Sequence, residues 1–108
     1  MSFELIPTPH FEKEVKRLAK KYPSIKSDLA TLAEDLLADP IQGDEIFKNC
    51  YKIRFAIKSK GRGKRGGGRL ITCVKIEKKK IFFLSVYDKS EQESISDIDL
   101  KFLLRDLF

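Results

Sequence analysis

The sequence predicts an α+β domain: a small, largely antiparallel four-stranded sheet with an N-terminal helical hairpin and a C-terminal helix, in the order β-α-α-β-β-β-α. Three observations lead to this prediction. Apolar residues recur at helical spacing over 11–37, alternate with polar residues over 51–58, and return to helical spacing over 98–107. A chain of 108 residues supports one core, so 1–108 is expected to form a single domain.

The N-terminal part predicts a strand followed by two helices. A short strand over 3–6 precedes Thr8 and Pro9, which suit the N-cap and the first residue of a helix. The apolar stripe of this helix comprises Phe11, Val15, Leu18, Ala19 and Tyr22. Pro23 ends it, and a second stripe over 25–37 completes an antiparallel helical hairpin.

The middle of the chain predicts strands. After a turn near Gly43, apolar residues alternate with cations over 51–58, which makes one face of the sheet apolar and the other basic. The segment 59–68 contains five glycines and is expected to be a mobile basic loop. Two β-rich segments over 69–76 and 80–87 then suit a hairpin.

The last segment predicts a helix, with Ser94 or Ser96 as its N-cap and Asp99 placed for a capping box with Ser96. We expect all helices to pack on one face of the sheet. The closing helix carries more apolar residues than one face can bury, which indicates a protein interface. The residues predicted to form this interface are Ile98, Phe102, Leu103 and Leu107.

The positive charge is concentrated in one part of the chain. Between Tyr51 and Lys80 there are twelve cations and one acid, Glu77, a local net charge of +11, whereas the other 78 residues carry 10 cations and 15 acids. A basic surface of this density favours a polyanionic partner, with nucleic acid as the leading candidate.

The glycine-rich loop lies inside this basic region. It lacks the ending of a nucleotide-binding P-loop, because Lys64 is followed by Arg65 and the loop enters a strand instead of a helix. A cationic loop along a phosphate backbone suits the composition better. The residues predicted to bind RNA are Lys58, Lys60, Arg62, Lys64 and Arg65.

Several classes of protein are disfavoured. The N-terminus reaches charge after three residues, unlike a signal peptide, and no apolar run approaches the ~20 residues of a membrane span, so we expect a cytoplasmic protein without a membrane partner. Cys50 and Cys73 lack metal-ligand spacing and are expected to be small core or strand residues. No metal or other cofactor is expected.

A cluster of cations is predicted on the basic face. Lys52 and Arg54 project from the same side of one strand, and Arg69 opens the next, so the three are expected to converge, facing solvent, on a site one phosphate wide. Tyr87 and Lys89 follow at the end of the central strand, where functional groups often lie on rigid support. Tyr87 suits the core equally well.

The order of these segments resembles the RelE/ParE toxin superfamily over nearly the whole chain. The resemblance lies in CYKIRF over 50–55, the basic loop into GRLI over 68–71, LSVYDK over 84–89, and the closing helix. Within it, KIRFAIKSKGRGKRGGGRLI is most similar to the HigB branch. The resemblance implies the toxin of a type II toxin–antitoxin system. It implies a ribosome-dependent endoribonuclease that cleaves messenger RNA in the 70S ribosomal A site without a metal. Such a toxin inhibits translation and is neutralised by a cognate antitoxin.

The resemblance also implies roles for individual residues. Lys52, Arg54, Arg69 and Lys89 match cationic positions of the family. Lys52 is expected to act as the base that takes the proton of the 2′-hydroxyl. Arg54 and Arg69 would stabilise the phosphorane, and Lys89 or Tyr87 would act as the acid.

One departure from the family pattern keeps other functions open. The closing segment has no tyrosine near Ile95, where the family's RelE members carry a catalytic one. Either Tyr87 substitutes for it, or the ribosome contributes more, or the chemistry is weaker. The alternatives are a ParE-like gyrase inhibitor and a catalytically inactive module that binds RNA or the antitoxin.

Overall fold

The computed structural model describes residues 2–105 and 107 and has the predicted α+β architecture. The helices are α1 (Pro9–Lys21), α2 (Ile25–Ala38) and α3 (Asp97–Arg105). The strands are β1 (Glu4–Pro7), β2 (Asp44–Phe47), β3 (Cys50–Phe55), β4 (Gly68–Lys75) and β5 (Lys80–Asp88). Short 3₁₀ turns lie at Lys58–Lys60 and Ile76–Lys78.

The sheet has five strands in the order β1-β5-β4-β3-β2, one more than predicted. Strand β1 runs parallel to β5, whereas the other neighbours are antiparallel, so the sheet is mixed. The additional strand, β2, pairs with β3 across a two-residue turn, Lys48-Asn49. Asn49 has a φ of 64°, a left-handed conformation that Asn tolerates better than most residues.

The predicted helical hairpin is confirmed and covers one face of the sheet. The Thr8 Oγ1 accepts a hydrogen bond from the backbone N–H of Phe11 at 3.4 Å and so caps α1 as expected. Buried residues of α1 and α2, among them Leu18 and Leu29, pack with Leu70 and Val86 of the sheet in one core.

The C-terminal helix α3 covers the opposite face, so the prediction that all helices share one face is wrong. Leu100 and Leu104 of α3 pack against Cys50, Ile71 and Leu84 in a second, smaller core. The reason is that the face predicted to be basic also carries apolar residues, among them Ile71, Cys73 and Leu84, which have to be covered. The N-cap at Ser96 is confirmed, since its Oγ accepts from the Asp99 N–H at 3.1 Å.

A bulge in β5 determines which side chains reach this second face. The register between β4 and β5 shifts beside Leu84, so that Leu84 and Tyr87, three residues apart, both belong to the second core. The carboxylate of Glu14 on α1 holds the bulge, because its Oε1 accepts from the Ser85 hydroxyl at 2.8 Å and from the Val86 N–H at 3.1 Å. Glu14 thereby helps to place Tyr87.

No helix within residues 2–105 combines the length and the apolar character that crossing a membrane requires.

Candidate functional site

Strand register brings four of the predicted site residues together on the second face. Arg54 of β3 lies opposite Arg69 of β4, and Arg69 lies opposite Tyr87 of β5. Lys52 lies two residues before Arg54 and therefore on the same side of β3. The register therefore places Lys52, Arg54 and Arg69 on one side of the sheet, with Tyr87 at the end of the row.

Exposure divides this row in two. Arg54 is exposed and Lys52 is half-buried, but Arg69 and Tyr87 retain only 4% and 1% of their accessible surface. The prediction that Arg69 faces solvent is therefore wrong. The reason lies in the loop that precedes β4, which folds back over the Arg69 side chain.

The guanidinium of Arg69 donates three hydrogen bonds to backbone carbonyls around this loop. Its Nη1 donates to the carbonyls of Lys64 and Gly68, each at 2.9 Å, and its Nη2 donates to the carbonyl of Arg65 at 3.1 Å. An arginine has five N–H donors in a fixed planar arrangement, so three are used to hold the loop and two remain. Arg69 thus fixes the backbone from which Lys64 and Arg65 project.

Burial shifts the ionisation of both covered side chains. Burial, followed by the nearby Arg54 cation, lowers the pKa of Arg69, whereas Tyr87 and Glu93 act in the opposite direction. Burial likewise raises the pKa of Tyr87, opposed by Arg69 and assisted by Glu14. Tyr87 is therefore protonated at neutral pH, and its hydroxyl has no hydrogen-bond partner in the described part of the chain.

The exposed part of the row borders a shallow hollow that we name the cationic depression. Its volume is about 370 Å³. The residues that line it are Gln42, Gly43, Asp44, Lys52, Ile53, Arg54 and Lys64. Three cations therefore face a concave surface against one carboxylate, Asp44, an arrangement suited to a phosphate group.

Glycine is required at the rim of the cationic depression. Gly43 has a φ of 86°, and a Cβ atom there would lie 2.3 Å from the carbonyl oxygen of Lys52. This close crossing lets the chain enter β2 while forming one side of the hollow.

The basic loop, predicted to be mobile, is attached to the core through Lys60. The Lys60 Nζ lies 2.6 Å from the Asp88 Oδ1 and 2.7 Å from the Ser90 Oγ, and only 11% of the Lys60 side chain is exposed. The structure therefore gives Lys60 a different role from the RNA contact predicted for it, since a buried carboxylate already neutralises its ammonium group. Of the other predicted RNA ligands, Lys58, Arg62, Lys64 and Arg65 are exposed.

Asp88 is the centre of this attachment, which we name the loop clamp and define as Tyr22, Lys60, Asp88 and Ser90. Its carboxylate is fully buried and also accepts from the Tyr22 hydroxyl at 2.5 Å and from the Ser90 N–H at 3.0 Å. Burial alone would raise the pKa of Asp88, but hydrogen bonds from Lys60, Tyr22 and Ser90 hold it well below its usual range. The loop clamp was not predicted, although Asp88 is the last residue of β5, the strand that the sequence shows to be almost wholly apolar.

Two further contacts fix the start of the loop, where it meets the junction of α1 and α2. The Ser59 N–H donates to the Ser24 Oγ at 2.8 Å, and the Lys58 N–H donates to the Asp28 Oδ2 at 3.1 Å. At the other end, the Lys89 N–H donates to the Gly67 carbonyl at 3.1 Å, which places the half-buried Lys89 beside the loop.

Only some of the residues predicted to form an interface at the C-terminal helix are exposed. Ile98 and Phe102 are 81% and 58% exposed, whereas Leu103 and Leu107 are half-buried against the second core. The guanidinium of Arg105 lies 4.7 Å from the Phe102 ring centroid. An apolar surface with a cationic rim remains exposed on α3.

Among residues 2–105 and 107, no three side chains of the His, Cys, Asp or Glu type come together in a way that could hold a metal ion.

Comparison with known proteins agrees with this architecture. Residues 10–105 match the family model described as the RelE toxin of the RelE/RelB toxin–antitoxin system. The isolated E. coli RelE toxin is similar at 21% identity and a TM-score of 0.62, over 98% of this chain and 99% of that one.

Two further E. coli structures contain an antitoxin. The RelE chain in the intact RelBE toxin–antitoxin complex is 23% identical with a TM-score of 0.60, over 82% of this chain and 96% of that one. A RelE variant in complex with a RelBc antitoxin peptide is 23% identical with a TM-score of 0.62, over 90% and 98%. At this identity the structures show a shared fold, whereas the family match extends over most of the chain, which therefore belongs to the RelE toxin family of toxin–antitoxin systems.

Proposed function

We propose that this toxin is an endoribonuclease that cleaves messenger RNA in the ribosomal A site and thereby inhibits translation. The observation that carries the proposal is the cationic depression, in which Lys52, Arg54 and Lys64 surround a hollow large enough for a phosphodiester. Family membership supports it, because the resemblance seen in the sequence implies ribosome-dependent cleavage of messenger RNA.

The reaction needs no group beyond those of RNA and the protein. The ribose 2′-oxygen attacks the adjacent phosphorus, the bond from phosphorus to the 5′-oxygen breaks, and a 2′,3′-cyclic phosphate forms. One side chain takes the proton of the 2′-hydroxyl and another protonates the leaving 5′-oxygen. The charge that develops on the phosphorane is stabilised by fixed cations.

We assign these roles according to exposure. Lys52 takes the 2′-hydroxyl proton, and Arg54 contacts the phosphorane, because both side chains reach solvent at the cationic depression. By the same criterion, Lys89 supplies the proton for the leaving group, because its side chain is half-buried whereas Tyr87 retains only 1% of its accessible surface.

Arg69 receives a different role from the one the sequence suggested. With three donors on backbone carbonyls and 4% exposure, it acts as a positioning residue that holds Lys64 and Arg65 beside the cationic depression. Its charge also strengthens the potential at Arg54, directly across the strand pair.

We further propose two partners. Ribosomal RNA binds the exposed cations of the loop, and a cognate antitoxin binds the exposed surface of α3. The E. coli relatives crystallised with RelB antitoxin support the second partner. The cations beside the exposed aromatic rings, Arg105 at Phe102 and Lys101 at Phe47, favour an antitoxin segment with apolar anchors and acidic flanks.

Primer extension on a defined transcript tests the proposed activity. The toxin is incubated with the transcript alone, with ribosomes, and with translating ribosomes. We expect new 5′ ends only where the message is translated. Cleavage of free RNA to the same extent would remove the ribosome from the proposal. No cleavage under any condition, combined with inhibition of DNA gyrase supercoiling, would support the ParE-like alternative instead.

A further inference from the structure

The two cysteines of this chain lie directly opposite each other on neighbouring strands. In the register of β3 and β4, Cys50 pairs with Cys73, and the two are 0% and 2% exposed. The adjacent backbone hydrogen bond runs from the Val74 N–H to the Asn49 carbonyl at 2.9 Å, on the outer side of the pair. The cysteines therefore occupy a non-hydrogen-bonded position of the ladder.

This position is the one that suits a disulfide. Opposite residues at a non-hydrogen-bonded position have Cα atoms roughly 4.5 Å apart and side chains closer than at a hydrogen-bonded position. Disulfides span Cα separations of about 4.4 to 6.8 Å, so a bond between Cys50 and Cys73 requires no backbone movement beyond ordinary adjustment.

The two thiols are also in contact and are chemically unequal. Contact with the Cys50 thiol, followed by the nearby Lys75 cation, lowers the pKa of the Cys73 thiol against the effect of burial. The same contact, together with burial, raises the pKa of Cys50. Cys73 therefore loses its proton first and is the nucleophile of the pair.

A small molecule has a route to Cys73. A groove of about 310 Å³ lies between the β2–β3 turn and α3, and Cys73 forms part of its wall together with Phe47, Asn49 and Leu104. Hydrogen peroxide is small enough to enter such a groove, whereas a protein oxidant is not.

We propose that Cys50 and Cys73 form a reversible cross-strand disulfide when the toxin meets hydrogen peroxide. The Cys73 thiolate attacks one peroxide oxygen, the O–O bond breaks, and Cys73 becomes a sulfenic acid as the first water leaves. The Cys50 sulfur then attacks the Cys73 sulfur, the S–S bond forms, the S–O bond breaks, and the second water leaves. Two thiols are oxidised by two electrons in total, one peroxide is reduced to two waters, and a dithiol reverses the change.

The disulfide would join the strands that carry the site. Cys50, Lys52 and Arg54 follow one another on the same side of β3, and α3 covers the cysteines through Leu100 and Leu104. Oxidation therefore ties β3 to β4 next to the cationic depression. The formation of this disulfide does not depend on the proposed nuclease activity.

The test is mass spectrometry of the purified full-length toxin after treatment with hydrogen peroxide. We expect a loss of about 2 Da, a linked peptide that contains Cys50 and Cys73, and recovery of the original mass with dithiothreitol. The oxidised protein should also melt at a higher temperature, by about 10 °C, because the bond restricts the unfolded chain between the cysteines.

Matched variants separate this bond from other oxidation. In Cys50→Ala, Cys73 should take up oxygen without the 2 Da loss. In Cys73→Ala, the 2 Da loss should also be absent, and oxygen uptake should be slower than in Cys50→Ala. An unchanged mass of the wild type, oxygen adducts without a linked peptide, or disulfides only between molecules would overturn the proposal. The wild-type peptide map decides the matter even if a variant fails to fold.

Discussion

Arg54 and Arg69 face each other across two strands, and yet they belong to different regions of the molecule. Arg54 lies at the cationic depression, exposed, with its guanidinium available to a ligand. Arg69 lies under the loop with three of its donors on backbone carbonyls. The same contrast separates Lys64, which lines the cationic depression, from Lys60, which is held in the loop clamp. Cations near each other in this chain therefore divide into those that are exposed to a ligand and those that hold the exposed cations in place.

A substitution in the loop clamp should lower the free energy of unfolding more than a substitution at the cationic depression. In Asp88→Ala, the Lys60 ammonium remains largely buried without its carboxylate, and the Tyr22 hydroxyl loses its acceptor. We expect a loss of about 3 kcal/mol in the free energy of unfolding, measured by urea denaturation. Glu91→Ala is the control, because the ion pairs of the Glu91 side chain with Arg17 and Lys21 are exposed and should contribute less than about 1 kcal/mol.

Acid should weaken the loop clamp in the same way. The pKa of Asp88 is lower in the folded protein than in the unfolded chain, where it is about 3.9. Its contribution to stability is therefore complete above about pH 4 and is lost as the pH falls from there towards the folded pKa. Equal slopes of stability against pH for the wild type and Asp88→Ala in this range would contradict the assignment.

Replacing Arg69 should affect stability and activity together. Arg69→Ala leaves the carbonyls of Lys64, Arg65 and Gly68 without their donor, and we expect a loss of about 2 kcal/mol in the free energy of unfolding. Cleavage should fall as well, because the loop beside the cationic depression is no longer held. Arg69→Lys should recover less than half of the stability, since an ammonium cannot reproduce the planar set of donors. An Arg69→Ala variant as stable as the wild type would show that the loop does not depend on this residue.

The exposed cations of the loop should control the salt dependence of RNA binding. The test compares the wild type with a variant in which Arg62, Lys64 and Arg65 are all replaced by alanine. Each lost phosphate contact should reduce the log–log slope of affinity against salt by roughly 0.7 to 0.9.

The control for this measurement removes three exposed cations from α1. The variant carries alanine at Lys13, Lys16 and Lys20 and has the same net charge as the loop variant. Its slope should stay close to that of the wild type. Equal slopes for the two variants would indicate a response to net charge instead of a specific contact.

The exposed surface of α3 should influence antitoxin binding with little effect on the fold. Replacing Ile98 and Phe102 by serine should weaken the affinity for the cognate antitoxin by tenfold or more, about 1.4 kcal/mol, in titration calorimetry. Leu37→Ser is the matched control, because Leu37 is 44% exposed on α2, which packs on the opposite face of the sheet from α3. Unchanged affinity in the double variant would place the antitoxin elsewhere.

The sequence predicted the elements whose periodicity is long and whose boundaries carry strong signals. Thr8-Pro9 and Ser96 mark helix starts through capping chemistry that depends only on local residues. Strand β2 was missed because four residues give too short an alternation, although Lys48-Asn49 offered a turn signal.

Burial within the basic region could not be predicted in the same way. The count of cations between Tyr51 and Lys80 does not distinguish a lysine that meets solvent from one that meets Asp88, because the two lie 28 residues from each other in sequence. The same holds for α3, whose position on the second face depends on which strand residues need cover. Such facts arise from tertiary packing, whereas the row of Lys52, Arg54 and Arg69 followed from strand alternation alone.

The most direct test compares cleavage rate and melting temperature in Arg54→Ala and in Lys20→Ala, which removes another exposed cation, from α1. If the cationic depression is where RNA is cut, Arg54→Ala should lower the rate of ribosome-dependent cleavage by about 10²- to 10³-fold, because it removes a charge that stabilises the phosphorane. Its melting temperature should remain within about 2 °C of the wild type, since an exposed side chain contributes little to stability. Lys20→Ala should change neither quantity. Cleavage by Arg54→Ala at the wild-type rate would contradict the account.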